Sequence, residues 1–302
     1  MNCFLRGRLL QRWKLWRPCR LLLALGLALQ PGNGADSPRL RRPAMMDSNG
    51  SGSDLFVVDA SANLHAFHVK QNALVEYRQM SLPADFAASD MTYLLSGSQE
   101  SFLIAGTLSR RGAVALFSLD GKSLQTWSLR NICSGIDFGA ATHVAYVATS
   151  DSNEIYRLEM KSPKLTFVTQ VDDAAKLGPL AFDEVRQEIY VADVAAGRIY
   201  KYSIAAKAST TLVTGLSAPT ALSFDPDSDR LYIADPGRRG IFTIDTRSSK
   251  PVLTGFAAGQ MQSPSGMALL SQNRVAVADY GADSVLVFSN KGSLLFRFSA
   301  PN

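Results

Sequence analysis

The chain has 302 residues, 46% of them hydrophobic and 19% charged, and a formal net charge of +5 at pH 7. That charge sits at one end: nine of the 31 Lys and Arg and one of the 26 Asp and Glu fall in residues 1–42, leaving 22 cations against 25 anions in residues 43–302. A body with no basic excess lacks the field that drives phosphate-backbone binding, which excludes nucleic acid as a partner.

The N-terminal segment has the layout of a secretory signal. Arg6, Arg8, Arg12, Lys14, Arg17 and Arg20 precede a nine-residue apolar run, residues 21–29, and a small-residue stretch follows at residues 31–35. The run is far shorter than the roughly 20 residues that a spanning helix needs. Residues 1–35 are therefore expected to be a signal peptide cleaved near Gly34 or Ala35, or an anchor if uncleaved, and residues 36–42 a linker. The expected location is secreted or periplasmic, with membrane contact only through an uncleaved leader. No Cys follows the apolar run, which argues against a lipid-modified start, and no Arg-Arg pair precedes it, which argues against twin-arginine export. Cys3 and Cys19 lie in the leader, so the mature chain keeps only Cys133 and can form no internal disulfide. Cys133 precedes a predicted inner strand and reads as a small buried hydrophobe. Asn49-Gly50-Ser51 is an N-glycosylation tripeptide, which matters only in a eukaryotic secretory pathway.

From residue 43 onward one pattern recurs. Its copies span residues 43–59, 90–106, 134–149, 178–193, 219–235 and 264–279, and the clearest reads PTALSFDPDSDRLYIAD. They close on Asp59, Gly106, Thr149, Asp193, Asp235 and Asp279, at spacings of 47, 43, 44, 42 and 44. A period in this range marks a repeat architecture. The copy at 217–256 predicts four short strands, at 220–224, 231–234, 241–245 and 251–256, separated by turns rich in Pro, Gly, Asp and Ser. No segment sustains a helical apolar period. Four antiparallel strands per unit at this period predict an all-β, six-bladed propeller. The predicted blades are 43–86, 87–131, 132–176, 177–217, 218–262 and 263–302. The first repeat begins with its own innermost strand near Pro43, so the ring is expected to close by packing the first blade on the last rather than by sharing a blade between the termini.

The segments IYVADVAAGRIYKYSI at 189–204 and LYIADPGRRGIFTID at 231–245 resemble NHL-type repeats. They are also similar to the blades of the six-bladed superfamily that includes SMP-30-like gluconolactonases and strictosidine-synthase-like proteins. The resemblance covers nearly all of residues 43–302 and implies the fold. Its members are interaction scaffolds, metal-dependent lactonases and relatives without metal catalysis, so the fold alone does not choose a function.

The repeated Asp193, Asp235 and Asp279 are read as structural, accepting backbone N–H groups of their own turns. The first residues of the inner strands align as Ala44, Asp90, Ser134, Gly178, Thr220 and Ser265. The resemblance implies metal-binding Asn and Asp in this row, in motifs resembling P-N-G and D-G. Here Thr220 stands in Pro219-Thr220-Ala221 and Ser265 in Ser265-Gly266. A hard divalent ion wants several carboxylate or carbonyl oxygens, and one carboxylate, Asp90, is too few. No metal, no cofactor and no catalytic residue is therefore expected, and Asp90, Ser134, Thr220 and Ser265 are assigned to ligand binding. His65, His68 and His143 are read as surface or edge residues, with His65 and His68 on opposite faces of a strand. Gly121-Lys122-Ser123 and the Asp225–Asp229 stretch are read as a hairpin turn and a solvated turn, because each lacks the residues its ligand-binding motif requires.

One further constellation remains. Ser109-Arg110-Arg111-Gly112 and Gly237-Arg238-Arg239-Gly240 occupy the second turn of the second and fifth units, which face each other in a six-fold ring. Arg forks suit carboxylates and phosphates. Arg110, Arg111, Arg238 and Arg239 thus point to an anionic ligand or an acidic partner segment. The overall expectation is an exported monomeric binding module for an extracytoplasmic protein or a small anion, with a lactonase-like hydrolase or lyase as the alternative.

Overall fold

The computed structural model describes residues 40–96, 99–161 and 164–299. The leader falls outside them, as does most of the linker. Six four-stranded antiparallel sheets, each made from consecutive strands, form the described fold. The first holds β1 (Pro43–Ser48), β2 (Asp54–Asp59), β3 (Asn63–Val69) and β4 (Leu74–Ser81), and the second β5 (Phe86–Ser96), β6 (Gln99–Leu108), β7 (Arg111–Ser118) and β8 (Ser123–Leu129). The third holds β9 (Cys133–Gly139), β10 (Val144–Thr149), β11 (Glu154–Glu159) and β12 (Leu165–Gln170), and the fourth β13 (Leu177–Asp183), β14 (Glu188–Asp193), β15 (Arg198–Ser203) and β16 (Ala208–Thr214). The fifth holds β17 (Ala221–Asp225), β18 (Arg230–Asp235), β19 (Gly240–Asp245) and β20 (Thr254–Gly255), and the sixth β21 (Pro264–Leu270), β22 (Arg274–Asp279), β23 (Ser284–Ser289) and β24 (Leu294–Ser299).

The inner strands neighbour one another in the cycle β1, β5, β9, β13, β17, β21 and back to β1, which closes a ring of six blades. No blade is shared between distant parts of the chain, as the sequence predicted. The second strand of each blade is buried on both faces because each face packs on a neighbouring blade. This is why these strands read as unbroken apolar runs rather than as alternations: LFVV in β2, FLIA in β6, IYVA in β14, LYIA in β18 and VAVA in β22. The seam between the last and first blades is built the same way, with Leu55, Val57 and Phe67 packed among Ala276, Val285 and Val287. Outer strands such as β4 and β16 are mostly exposed. Among the described residues no helix is long and apolar enough to cross a membrane.

Local departures have local causes. The fourth strand of the fifth blade, predicted over 251–256, forms only at Thr254–Gly255. Pro251, which has no N–H to give a ladder, lies outside it. Single-turn 3₁₀ helices, Pro236–Arg238 and Tyr280–Ala282, occupy two of the turns between second and third strands. Gly106 holds the position where other repeats carry Asp or Thr, and β5 bulges opposite it between Ala88 and Asp90, as the inner strands do opposite Asp59 and Asp279. A Cβ at Gly106 would lie 2.1 Å from the Ala87 carbonyl oxygen.

The repeated aspartates are buried hydrogen-bond acceptors, but most of their partners are not in their own turns. Asp235 accepts from Ser217 N–H and Ala218 N–H, Asp279 from Gln262 N–H and Ser263 N–H, and Asp193 from Ala175 N–H and Lys176 N–H. Each ties the connector entering a blade to that blade's second strand. Asp59, which accepts from Ser61 and Asn63, follows the expected local pattern, and Asp193 adds one local bond from Ala196.

Candidate functional site

The six inner strands surround a cavity of about 180 Å³ on the ring axis. Asp90, Thr220 and Ser265 line it, as the repeat alignment suggested, and Ser134 does not. The polar groups of this row are already engaged. Thr220 Oγ1 donates to the Pro264 carbonyl at 3.0 Å and Ser265 Oγ to the Pro43 carbonyl at 2.7 Å, each in the next blade. Ser134 Oγ donates to Ala148 O of its own blade at 3.3 Å. Asp90 accepts from Ile136 N–H of the next blade at 3.0 Å and from Met91 N–H at 2.9 Å.

The expectation of a single axial carboxylate is corrected here. Asp47 and Asp137 also line the cavity, two residues further along their strands than the level of Asp90. Asp47 accepts from Tyr93 N–H at 2.7 Å and Ser48 N–H at 2.7 Å, and Asp137 from Phe182 N–H at 2.8 Å and Phe138 N–H at 2.8 Å. Aligning only the strand mouths missed them. The signal was present as an acid inside an apolar inner strand, in MMDS and GIDF. Burial drives all three carboxyl groups upward, against the pull of the backbone N–H donors. Asp47 is raised to about 6. Asp137 is raised to about 7, first by burial and then by repulsion from Asp47. Asp90 is raised to about 8 by burial, with repulsion from Asp137 and Asp47 adding to it. The opposite wall, from the fourth to sixth blades, is largely apolar and includes Leu180, Leu222, Phe224, Met267 and Leu269.

These residues do not fit the divalent ion that the resemblance to lactonase-like proteins implies. Both oxygens of each axial carboxylate accept a backbone N–H, and no axial His or Asn supplements them. Among the described residues no three His, Cys, Asp or Glu stand close enough to hold a metal.

Arg110 and Arg238-Arg239 occupy the turns after β6 and β18, and Arg111 opens β7. The register places both turns at the end of the ring where the inner strands begin, with Leu108 opposite Phe86 and Ala234 opposite Ala221. Cyclic order puts their blades on opposite sides of the channel. All four side chains are exposed. Arg238 donates to Gly215 O at 3.0 Å and lies 4.2 Å over the Phe242 ring, and among the described residues none of the four forms an ion pair.

The histidines require a second correction. His65 is fully buried, with Nδ1 2.6 Å from Glu76 and Nε2 3.3 Å from Asp59. Burial disfavours its charge, but the two carboxylates outweigh this and raise it to about 9. The run of β3 through the first blade buries it, which spacing alone did not reveal. His68 is half exposed and bonds Asp54 at 2.7 Å. Cys133 is buried, and burial pushes its thiol up to about 12. Gly121 sits in the hairpin turn between β7 and β8. The Asp225–Asp229 stretch is a turn with Pro226, Asp227 and Ser228 exposed, as expected, but Asp229 at its end is buried beneath Arg186 and Arg247, and the Arg186 contact bridges the fourth and fifth blades.

Residues 178–302, essentially the last three blades, match the family model of the SMP-30/Gluconolactonase/LRE-like region. Solved structures similar in fold include virginiamycin B lyase from Staphylococcus aureus, at 13% identity and TM-score 0.61, covering 86% of this chain and 85% of that one. A structure of a nidogen/laminin complex contains a chain at 14% identity and TM-score 0.65, with coverage of 82% and 92%. A functionally unknown protein from Desulfotomaculum acetoxidans DSM 771 matches at 13% identity and TM-score 0.61, with 84% of each chain covered. No curated protein matches in sequence. The chain is a six-bladed β-propeller whose last three blades carry the sequence pattern of the SMP-30/gluconolactonase/LRE-like region.

Proposed function

We propose that this propeller acts by binding, and that the face where the inner strands begin captures an anionic ligand or an acidic segment of a partner protein outside the cytoplasm. The observation that carries the reading is the pair of exposed arginine turns on opposite blades of one face, Arg110-Arg111 and Arg238-Arg239. Guanidinium forks without carboxylate partners are poised for carboxylate or phosphate. The basic, apolar and small-residue layout of residues 1–35 supports export. Replacing all four arginines with alanine tests the reading. Binding of an oligoglutamate peptide or inorganic phosphate drops at least about tenfold in the variant, a loss of about 1.4 kcal/mol; equal binding by both proteins rejects it.

A second reading, a lactonase-like hydrolase or lyase with an atypical axial site, is favoured by the family match over residues 178–302. Turnover of a lactone panel by the purified chain, abolished in Asp90→Asn, supports that reading over the first.

A further inference from the structure

Polar side chains on the inner strands reach from one blade to the backbone of the next around most of the ring. Asp47 takes the N–H of Tyr93, Asp90 that of Ile136 and Asp137 that of Phe182, at sequence separations of 46, 46 and 45. Thr220 gives its hydroxyl to Pro264 O and Ser265 gives its own to Pro43 O. The carboxylates therefore serve the first three junctions and hydroxyls serve the last two. At the junction of the fourth and fifth blades the equivalent inner-strand positions are Gly178, Pro179 and Ala181, and the Arg186–Asp229 contact links the blades instead.

The inner edges of propeller blades present unpaired N–H groups to the axis, and each needs an acceptor. A bound cation cannot satisfy an N–H, whereas a carboxylate can. An ion at this axis would also compete for carboxyl oxygens that each already accept a backbone N–H. From this geometry we infer that Asp47, Asp90 and Asp137 replace a resident divalent ion as the axial link between the first four blades, and that the chain reaches full stability without metal. The inference stands apart from the arginine face and does not depend on it.

The experiment uses the purified full chain, stripped with EDTA and then given calcium, magnesium, manganese or zinc separately. Metal content and the melting temperature are read for wild type, Asp90→Asn, Asp137→Asn and Asp90→Ala. The inference expects no ion retained at one per chain by wild type and a melting temperature that moves by less than about 1 °C on metal addition. It also expects Asp90→Ala to melt at least about 3 °C lower in EDTA, on the scale of a lost buried bond in a chain of this size. Asp90→Asn keeps one acceptor and falls between, which preserves the test if the alanine variant does not fold. An ion retained stoichiometrically, raising the wild-type melting temperature and lost in both asparagine variants, overturns the inference. So does an unchanged melting temperature in Asp90→Ala. A metal-induced shift that persists in both asparagine variants belongs to another site and overturns the claim of full stability without metal, though not the role of the axial acids as links between blades.

Discussion

Ser265 Oγ donates to the carbonyl of Pro43 at 2.7 Å, joining positions 222 residues apart at the seam where the ring closes. Ser48 Oγ bonds Leu269 O at 2.5 Å across the same seam, and buried Arg274 reaches Lys70 O at 3.0 Å. A propeller that shares no strand between its termini depends on such links together with apolar packing. Ser265→Ala removes one bond and leaves the Pro43 carbonyl without that donor. The expected loss is about 1 kcal/mol, read as a lower urea midpoint with an unchanged slope. An unchanged midpoint assigns closure to packing alone.

The axial acids make stability depend on pH. Each keeps its proton in the fold where the unfolded chain has released it, because its carboxyl is raised from 3.8 to about 6, 7 or 8. The folded state therefore binds more protons across this window, and stability falls as pH rises from about 4 to about 8. Urea midpoints measured from pH 5 to 8.5 should decline, and the decline should be shallower in Asp90→Asn. A flat or rising profile contradicts this account.

His65 acts in the same direction over a higher range. Its folded value of about 9 exceeds the ordinary 6.5, so its contribution is complete below 6.5 and is lost as pH rises through about 9. His65→Ala leaves buried Asp59 without its cationic partner and should cost about 3 kcal/mol at pH 7. That penalty should shrink between pH 7 and 9.5 in paired denaturation curves. A penalty constant over this range would mean that His65 contributes through packing rather than charge.

Gly106 is fixed by contact rather than by conformation. Its absent Cβ would meet the Ala87 oxygen at 2.1 Å and the Ala88 Cα at 3.0 Å, both main-chain atoms of the bulged inner strand. Gly106→Ala is expected to cost about 2 kcal/mol or more, measured by thermal or urea unfolding. A neutral substitution would show that the bulge relaxes freely.

The fold was legible because it repeats. A 44-residue period, strand-length apolar runs and Pro- and Gly-rich turns all follow from local chemistry, and six copies reinforce one another. The candidate site was legible only at its rim. Asp90, Thr220 and Ser265 emerged from the alignment of strand mouths, whereas Asp47 and Asp137 lie deeper and gain their role from the N–H groups of a blade some 45 residues away. The buried His65 pair and the connector bonds of Asp193, Asp235 and Asp279 were hidden for a nearer reason. Their partners lie within one blade, on neighbouring strands or on the entering connector, and are set by how the strands of that blade pair.

The most direct test of the binding account is a titration of a fluorescent oligoglutamate peptide with the full chain, followed by anisotropy at low and high salt. The account predicts saturable binding that weakens with salt and falls at least about tenfold when Arg110, Arg111, Arg238 and Arg239 are all alanine. Equal affinity in the two proteins, or no binding by either, would contradict it.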